Sequence, residues 1–515
     1  MYYTTIQWVH LLISVGLMAL PIGLHVRGKT KASILSLLAG ALSLGLFCAL
    51  LDPFLNLWDE QYHALVAKNL ANNGLLPLLY PETPLEYDFR DWTSNYVWLH
   101  KQPLFLWQMA LSIKLFGTSV LAVRLPSVLM HTAVVYFTYR IGSISMNEKV
   151  GFIGALFFAV AFFPLEMVAG TFATDHNDVA FLFYVIGSFW CWFEYQTSKN
   201  RVWLILIGVF SGCAILVKWL VGLLIYACWG LESIVTRQFV GFLRTFWMPL
   251  LATIVIALPW QLYISSVFPQ EAAYEYALNT RHFFEAIEGH AGDGFFHLNA
   301  ARTLYGSGDL VPLLLLVGFL WMLIRIRDLG FKIILGGGVV ITYLFYSMAA
   351  TKMTAFTLIV SPIIFLGFAS LAYAFFSWID NRIPKGSGCI QFIGLFLFAY
   401  LFFNPVKVYH NHSDWKPEDN RNRRVEKLQL EAIQRFQREF DSMPQVVIFN
   451  ADIRMNGHIA TMFFTDYLAY PGIPTMEEID LLNEKGYPVA VVNQGGLPSA
   501  IHDRSDIRIL DFPVE

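Results

Sequence analysis

The sequence predicts an α-helical protein that crosses a membrane many times and carries one small α/β domain outside it. Three observations support this fold class. Of 515 residues, 56% are hydrophobic and only 14% are charged, and the mean hydropathy is +0.52; a soluble domain carries about 25% charge. The apolar residues fall into runs of roughly 17–25, the length that crosses a hydrocarbon core as a helix. Beyond residue 404 these runs stop, and helix-like and strand-like segments alternate.

Taken in order, spans are expected near 5–25, 32–51, 120–139, 150–169, 178–195, 202–217, 219–235, 245–265, 309–325, 333–350, 353–378 and 388–404. The stretch 104–116 is short for a span and suits the interface, so the total is about 12–13. The first run is too long for a signal-peptide core and basic residues follow it, so it reads as a retained helix. Short loops carry the orientation signal. Arg27, Lys29 and Lys31 follow the first span, and Arg140 with Lys149, Lys199 with Arg201, and Arg237 with Arg244 mark later loops. Arg325, Arg327 and Lys332 mark another, and Arg382 with Lys385 the last. With the spans above, all of these fall on one side, which is expected to be cytoplasmic.

The opposite face then receives the loop 52–103, the segment 170–177, the loop 266–308 and the tail 405–515. The chain thus divides into a transmembrane part, 1–404, and an extracytoplasmic α/β tail, 405–515, with the outer loops 52–103 and 266–308 forming the expected site. In the tail, Arg423–Phe440 has a helical apolar rhythm, and Val446–Phe449, Val489–Val492 and Ile507–Leu510 read as strands. Helices are expected near Gly457–Tyr467 and Met476–Lys485. The tail has no phosphate-binding glycine loop, and it reads as a cap or an acceptor-binding unit. A net charge of −3 gives no sign of nucleic-acid binding. The five cysteines show neither disulfide nor zinc-ligand spacing.

Polar residues collect at outer span ends. Leu57-Trp-Asp-Glu-Gln-Tyr-His63 follows the second span directly. Asp59 there is also a good N-cap for an amphipathic helix that stops near Gly74. Asp91-Trp92 and Trp98-Leu-His-Lys-Gln-Pro-Leu104 come next, then Leu115-Phe-Gly117 and Arg124-Leu-Pro-Ser127. Taken singly, Lys101 and Arg124 read as interfacial anchors and Asp59 as a cap. Later segments are Thr174-Asp-His-Asn-Asp178, Leu216-Val-Lys218 with Gly222, Leu258-Pro-Trp260, and Ser347…Lys352…Phe356…Pro362.

In this order the pieces resemble the GT-C glycosyltransferases that use polyprenyl-phosphate sugars, in particular the aminoarabinose–lipid A transferase and protein O-mannosyltransferase group. The likeness covers about 50–370. It implies a monosaccharide transfer from a polyprenyl-phosphate carrier to an acceptor on the non-cytoplasmic face of a bacterial inner membrane, with inversion. Lipid A, another glycolipid, a protein or an envelope glycan all fit as acceptor. The resemblance implies Asp59 as general base, with Glu60 orienting or capping beside it. It implies Lys101, Arg124, Lys218 and Lys352 as cations for the donor phosphate. Asp175, His176 and Asp178 form a polar cluster that suits the acceptor, a metal, or simple capping of the next span.

Two departures bear on cofactors. Where relatives carry a glutamate beside the lysine, this chain has His100, and His290 matches a histidine of the later outer loop. A His100/His290 pair is expected to bind a divalent metal, zinc or another transition ion rather than magnesium. Phe356 stands where relatives have tyrosine. The rival class is a membrane transporter or lipid flippase with an external binding domain. It predicts ionisable residues mid-span and repeat symmetry, and the sequence shows neither.

Overall fold

The computed structural model describes residues 3–172, 175–306, 308, 310–414, 420–443 and 445–512. Thr174 of the Thr174–Asp178 segment lies outside them. The chain is an integral membrane protein. Among the described residues, eight helical stretches are long and apolar enough to cross a bilayer: Thr5–Val26, Thr30–Ala49, Val120–Ser145, Arg201–Val235, Phe239–Val267, Leu329–Met348, Thr354–Arg382 and Ser387–Asn411. Two bent pairs raise the number to ten if each is one span. Glu148–Ala159 meets Phe162–Val168 at 52°, and Phe296–Tyr305 meets Leu310–Arg325 at 99°.

The differences from the sequence expectation have physical causes. The stretches 202–217 and 219–235 form one apolar run by length, Arg201–Val235, but the 3-10 turn at Trp219–Leu223 reverses the chain within it: Trp229 returns to 6.5 Å from Tyr195, and Tyr226 and Gly208 both reach Thr253. The expected span 178–195 is a helix of 24 residues, Asp175–Ser198, less evenly apolar than the eight. It can carry Asp178 and Glu194 because it is packed between Val120–Ser145 and Arg201–Lys218 rather than facing lipid. Glu194 pairs with Arg140 at 2.6 Å. The innermost span is Thr354–Arg382, 89% buried, whereas Phe239–Val267 is 11% buried and turns Leu251, Val255, Leu258 and Leu262 outward. An apolar outer surface of this kind is what a lipid-facing helix requires.

The last apolar helix runs on to Asn411, past Asn404, which adopts a left-handed conformation. The tail then folds as a small α/β unit. Its strands are β1 (Val447–Phe449), β2 (Leu468–Ala469), β3 (Val489–Asn493) and β4 (Ile507–Asp511). All pair in parallel, in the order β2-β1-β3-β4. The helix Gly457–Phe464 ends three residues before the expected Tyr467, making room for the two-residue β2. Val447, Ile448, Ala490, Val491 and Val492 are buried, as the centre of a parallel sheet demands.

The tail is seated on the loop after the second span. Lys68 donates to the carbonyls of Met462 and Thr465 at 2.9 and 2.5 Å. Lys485 donates to Pro84 O, and Tyr487 to Glu82. Tyr80 stacks on Tyr470 at 5.2 Å. Deeper in, Arg423 of the helix Arg421–Glu439 pairs with Asp52. His412 bridges Asp52 and Glu166 at 2.6 and 3.1 Å.

Candidate functional site

The site is built outward from a turn at Leu57–Glu60. Asp59 and Glu60 open the helix Asp59–Asn72, where two acids suit the positive end of the helix dipole. From there they diverge. Glu60 turns inward. Arg124 Nε lies 2.7 Å from its Oε1 and Nη2 3.0 Å from its Oε2, the Asn56 N–H donates at 2.6 Å, and His176 Nε2 is 3.1 Å away. Burial raises the Glu60 carboxyl, but the Arg124 guanidinium outweighs it and holds the group down at about 2. Gly170 makes room for this, since a Cβ there would stand 2.2 Å from Glu60 Oε1.

Arg124 is 0% exposed, and its remaining N–H groups donate to the carbonyls of Ala49, Asp52 and Phe54. All five guanidinium donors are therefore used inside the protein. Arg124 cannot also hold a donor phosphate; it is the pin that fixes the segment leading into Asp59. Glu60 is likewise its partner and not a group facing substrate.

Asp175 and His176 are buried with them. His63 Nδ1 lies 3.3 Å from Asp175 Oδ1, and His176 Nδ1 meets Ser127 Oγ at 2.8 Å. Glu60, Asp175 and His176 bring one ligand atom each within 4.8 Å of one another. An ion held there would share Glu60 with the Arg124 guanidinium. Neither Asp175 nor His176 lines the large cavity; of the described residues 175–178, Asn177 does.

Asp59 is half-buried and lines a cavity of about 1100 Å³. Trp58, His100, Lys101, Lys218 and His290 line the same cavity, so the structure brings together residues from four separate segments. The turn itself is strained. Trp58 has φ 68° and ψ −125°, and is 44% exposed. Across the cavity Trp219, next to Lys218, has φ 61°. Both tryptophans escaped the sequence analysis, since nothing in a linear pattern marks a left-handed tryptophan.

Lys218 pairs with Asp178, and its ammonium lies 4.7 Å over the Phe356 ring. Phe356 thus has a place of its own where relatives carry tyrosine. Lys352 does not follow the expectation. It is buried, and Nζ donates to the carbonyls of Tyr346, Ser347 and Ala349 at 3.1, 2.6 and 2.5 Å. Its three donors cap the helix Leu329–Met348 and leave none for a phosphate.

His100 stacks on Trp92 at 4.6 Å, and its Nδ1 stands 3.6 Å from Glu275 Oε2. Burial, and then Lys101, lower its pKa and favour the neutral imidazole. His282 and Glu288 also line the cavity, and His282 lies within electrostatic reach of Glu288, Lys101, His100 and His290. Neither Glu288 nor His282 has a role in the sequence analysis. Glu275 left no linear signal, because its partner lies far away in the chain.

With this geometry in view, the comparisons with known proteins can be stated. Residues 100–263 match the family model described as dolichyl-phosphate-mannose-protein mannosyltransferase. No curated protein matches in sequence. Among solved structures, ArnT from Cupriavidus metallidurans bound to undecaprenyl phosphate is similar with TM-score 0.61 and 14% identity, over 93% of this chain and 90% of that one. The oligosaccharyltransferase of Archaeoglobus fulgidus, tethered to an acceptor peptide, is similar with TM-score 0.54 and 12% identity, over 86% of this chain and 64% of that one. The same archaeal enzyme in complex with zinc and sulfate gives TM-score 0.51 and 10% identity, over 85% of this chain and 62% of that one. The chain therefore carries the membrane fold of the GT-C glycosyltransferases.

Proposed function

We propose that the chain transfers a monosaccharide from a polyprenyl-phosphate carrier to an acceptor hydroxyl, with inversion, on the non-cytoplasmic face of a bacterial inner membrane. The observation that carries this reading is the shared cavity. A carboxylate, Asp59, and two cations, Lys101 and Lys218, line one space. Asp59 takes the proton of the acceptor hydroxyl. The acceptor oxygen attacks the anomeric carbon from the side opposite the phosphate, and the bond from that carbon to the phosphate oxygen breaks. Lys101 and Lys218 meet the charge that develops on the leaving polyprenyl phosphate. A positioned base contributes about 10²–10⁴-fold, and cations aimed at developing charge contribute comparably. The matches to a lipid-phosphate-sugar transferase model and to an undecaprenyl-phosphate-bound fold support the donor class.

His100, His290 and Glu288 line one cavity and offer nitrogen and oxygen donors of the type zinc takes, although among the described residues only Glu60, Asp175 and His176 bring three such atoms within 4.8 Å. A metal held there would supply further charge stabilisation for the departing phosphate. The acceptor is a lipid A sugar, another glycolipid, a protein or an envelope glycan, and the tail belongs on the same outer side as the cavity.

The test is release of polyprenyl phosphate by purified protein given a panel of polyprenyl-phosphate monosaccharides and an envelope extract. Wild type is expected to release it, and Asp59→Asn to lose about 10²-fold or more. Equal turnover in both would remove Asp59 as base. No release from any donor by folded protein would overturn the reaction class.

A further inference from the structure

The tail reaches the active-site turn itself. One stripe of the helix Arg421–Glu439, namely Arg423, Glu426 and Gln429, lies against the segment around Asp59. These residues are three apart and so share one helix face. Arg423 pairs with Asp52. Glu426 Oε1 accepts the Leu57 N–H at 2.8 Å. Gln429 Oε1 accepts from Gln61 Nε2 at 2.9 Å. The last two contacts are buried on both sides and bracket Trp58 and Asp59 in the chain.

Between them sits a residue that needs holding. Trp58 keeps a positive φ although it has a Cβ, and it is too exposed for burial to fix it there. Such a conformation persists only where the surroundings over-determine it. Two anchors do so. Arg124 holds Glu60 from the membrane bundle, and Glu426 holds Leu57 from the tail. Glu426 is 5% exposed and is not among the residues facing the cavity, so it acts through Leu57.

We infer that Glu426 is a positioning residue for the transfer reaction. By holding the Leu57 N–H, the tail sets the strained Trp58 turn that aims Asp59 into the cavity. This rests on the reading of Asp59 as base given above. It makes the C-terminal unit a working part of the active site in addition to a cap over it.

The experiment compares kcat and donor KM of full-length protein reconstituted in lipid. Glu426→Ala is expected to lower kcat by about 10- to 100-fold, as a misplacement of about 1 Å does, with donor KM within about twofold. Glu426→Gln keeps an acceptor oxygen for Leu57 and is expected to restore kcat to within about threefold of wild type. Tyr487→Phe and Lys485→Ala loosen the same docked unit far from Asp59 and are expected to leave kcat unchanged. If Glu426→Ala does not fold, Gln429→Ala decides, with a smaller kcat loss expected. Unchanged kcat in the folded Glu426 or Gln429 variant overturns the inference, as does a loss shared equally by Glu426→Gln or by the two distant variants. An inactive wild type, or full activity in Asp59→Asn, overturns the base assignment and this inference with it. That result is told apart because it precedes any effect of Glu426.

Discussion

Asp59 and Glu60 are neighbours on the first turn of one helix, and only one of them lines the cavity. Glu60 meets a guanidinium, a backbone N–H and an imidazole, all inside the protein. Asp59 faces a cavity of about 1100 Å³ with two lysines on its wall. The same contrast divides the cations. Arg124 and Lys352 have spent every donor on the protein, whereas Lys101 and Lys218 line the open space. A charged group with every donor spent inside the protein holds structure; Lys101 and Lys218 also line the cavity, Lys218 while paired with Asp178.

The widest separation is expected between Asp59→Asn and Arg124→Met. The first should cost about 10²–10⁴-fold in turnover and leave the melting temperature nearly unchanged. The second strands a buried carboxylate and should cost about 3–5 kcal/mol of stability. A well-folded Arg124→Met protein with weakened donor binding would reverse the roles drawn here. Metal content is the next test. Wild type is expected to retain zinc or another transition ion on purification, and His100→Ala with His290→Ala to lose it, by elemental analysis. Equal, negligible metal in both would empty the site of that role.

A smaller split should separate the two lysines. Lys218→Ala is expected to raise donor KM or lower kcat about tenfold, as loss of a charge-assisted contact does. Lys352→Ala should leave donor binding alone and lower the melting temperature by a few degrees. Donor affinity lost in Lys352→Ala would return that residue to the phosphate.

The smallest effect is on pH dependence. Burial alone would lower His412, yet Glu166 and Asp52 on either side raise it to about 10. Its contribution is complete below the unfolded value of about 6.5 and is lost as pH climbs towards 10. Burial raises Glu426 from 4.5 to about 8, so the folded state is penalised for ionising it as pH rises across that window. Both groups therefore remove stability on the alkaline side. The melting temperature should fall from pH 6 to 10, and Glu426→Gln should flatten the part below about 8. A flat profile in the wild type would separate these groups from stability.

Much of the fold could be read in advance because a bilayer demands long apolar runs, and the chain supplies most of them. The tail strands stood out by their run of Val, Ile and Phe. The segments around 59, 100 and 290 also stood out, as polar residues clustered at span ends. Partnership did not. Arg124 and Lys101 look alike in sequence, and only the carbonyls of Ala49, Asp52 and Phe54 tell them apart. Lys352 was indistinguishable from a phosphate ligand until the end of the preceding helix came to rest on it. Glu426 was one acid in a charge-rich helix, and its meaning depends on an N–H far off in the chain.

That last separation has a consequence for biosynthesis. Leu57 meets Glu426 across 369 residues. A nascent chain already threaded through the membrane holds the Asp59 segment long before its partner exists. The contact between Glu426 and the Leu57 N–H can form only after the tail has been made and folded. A truncated or stalled product would hold the bundle without the Glu426 contact to the Leu57 N–H, and on the reading proposed above it would be inactive.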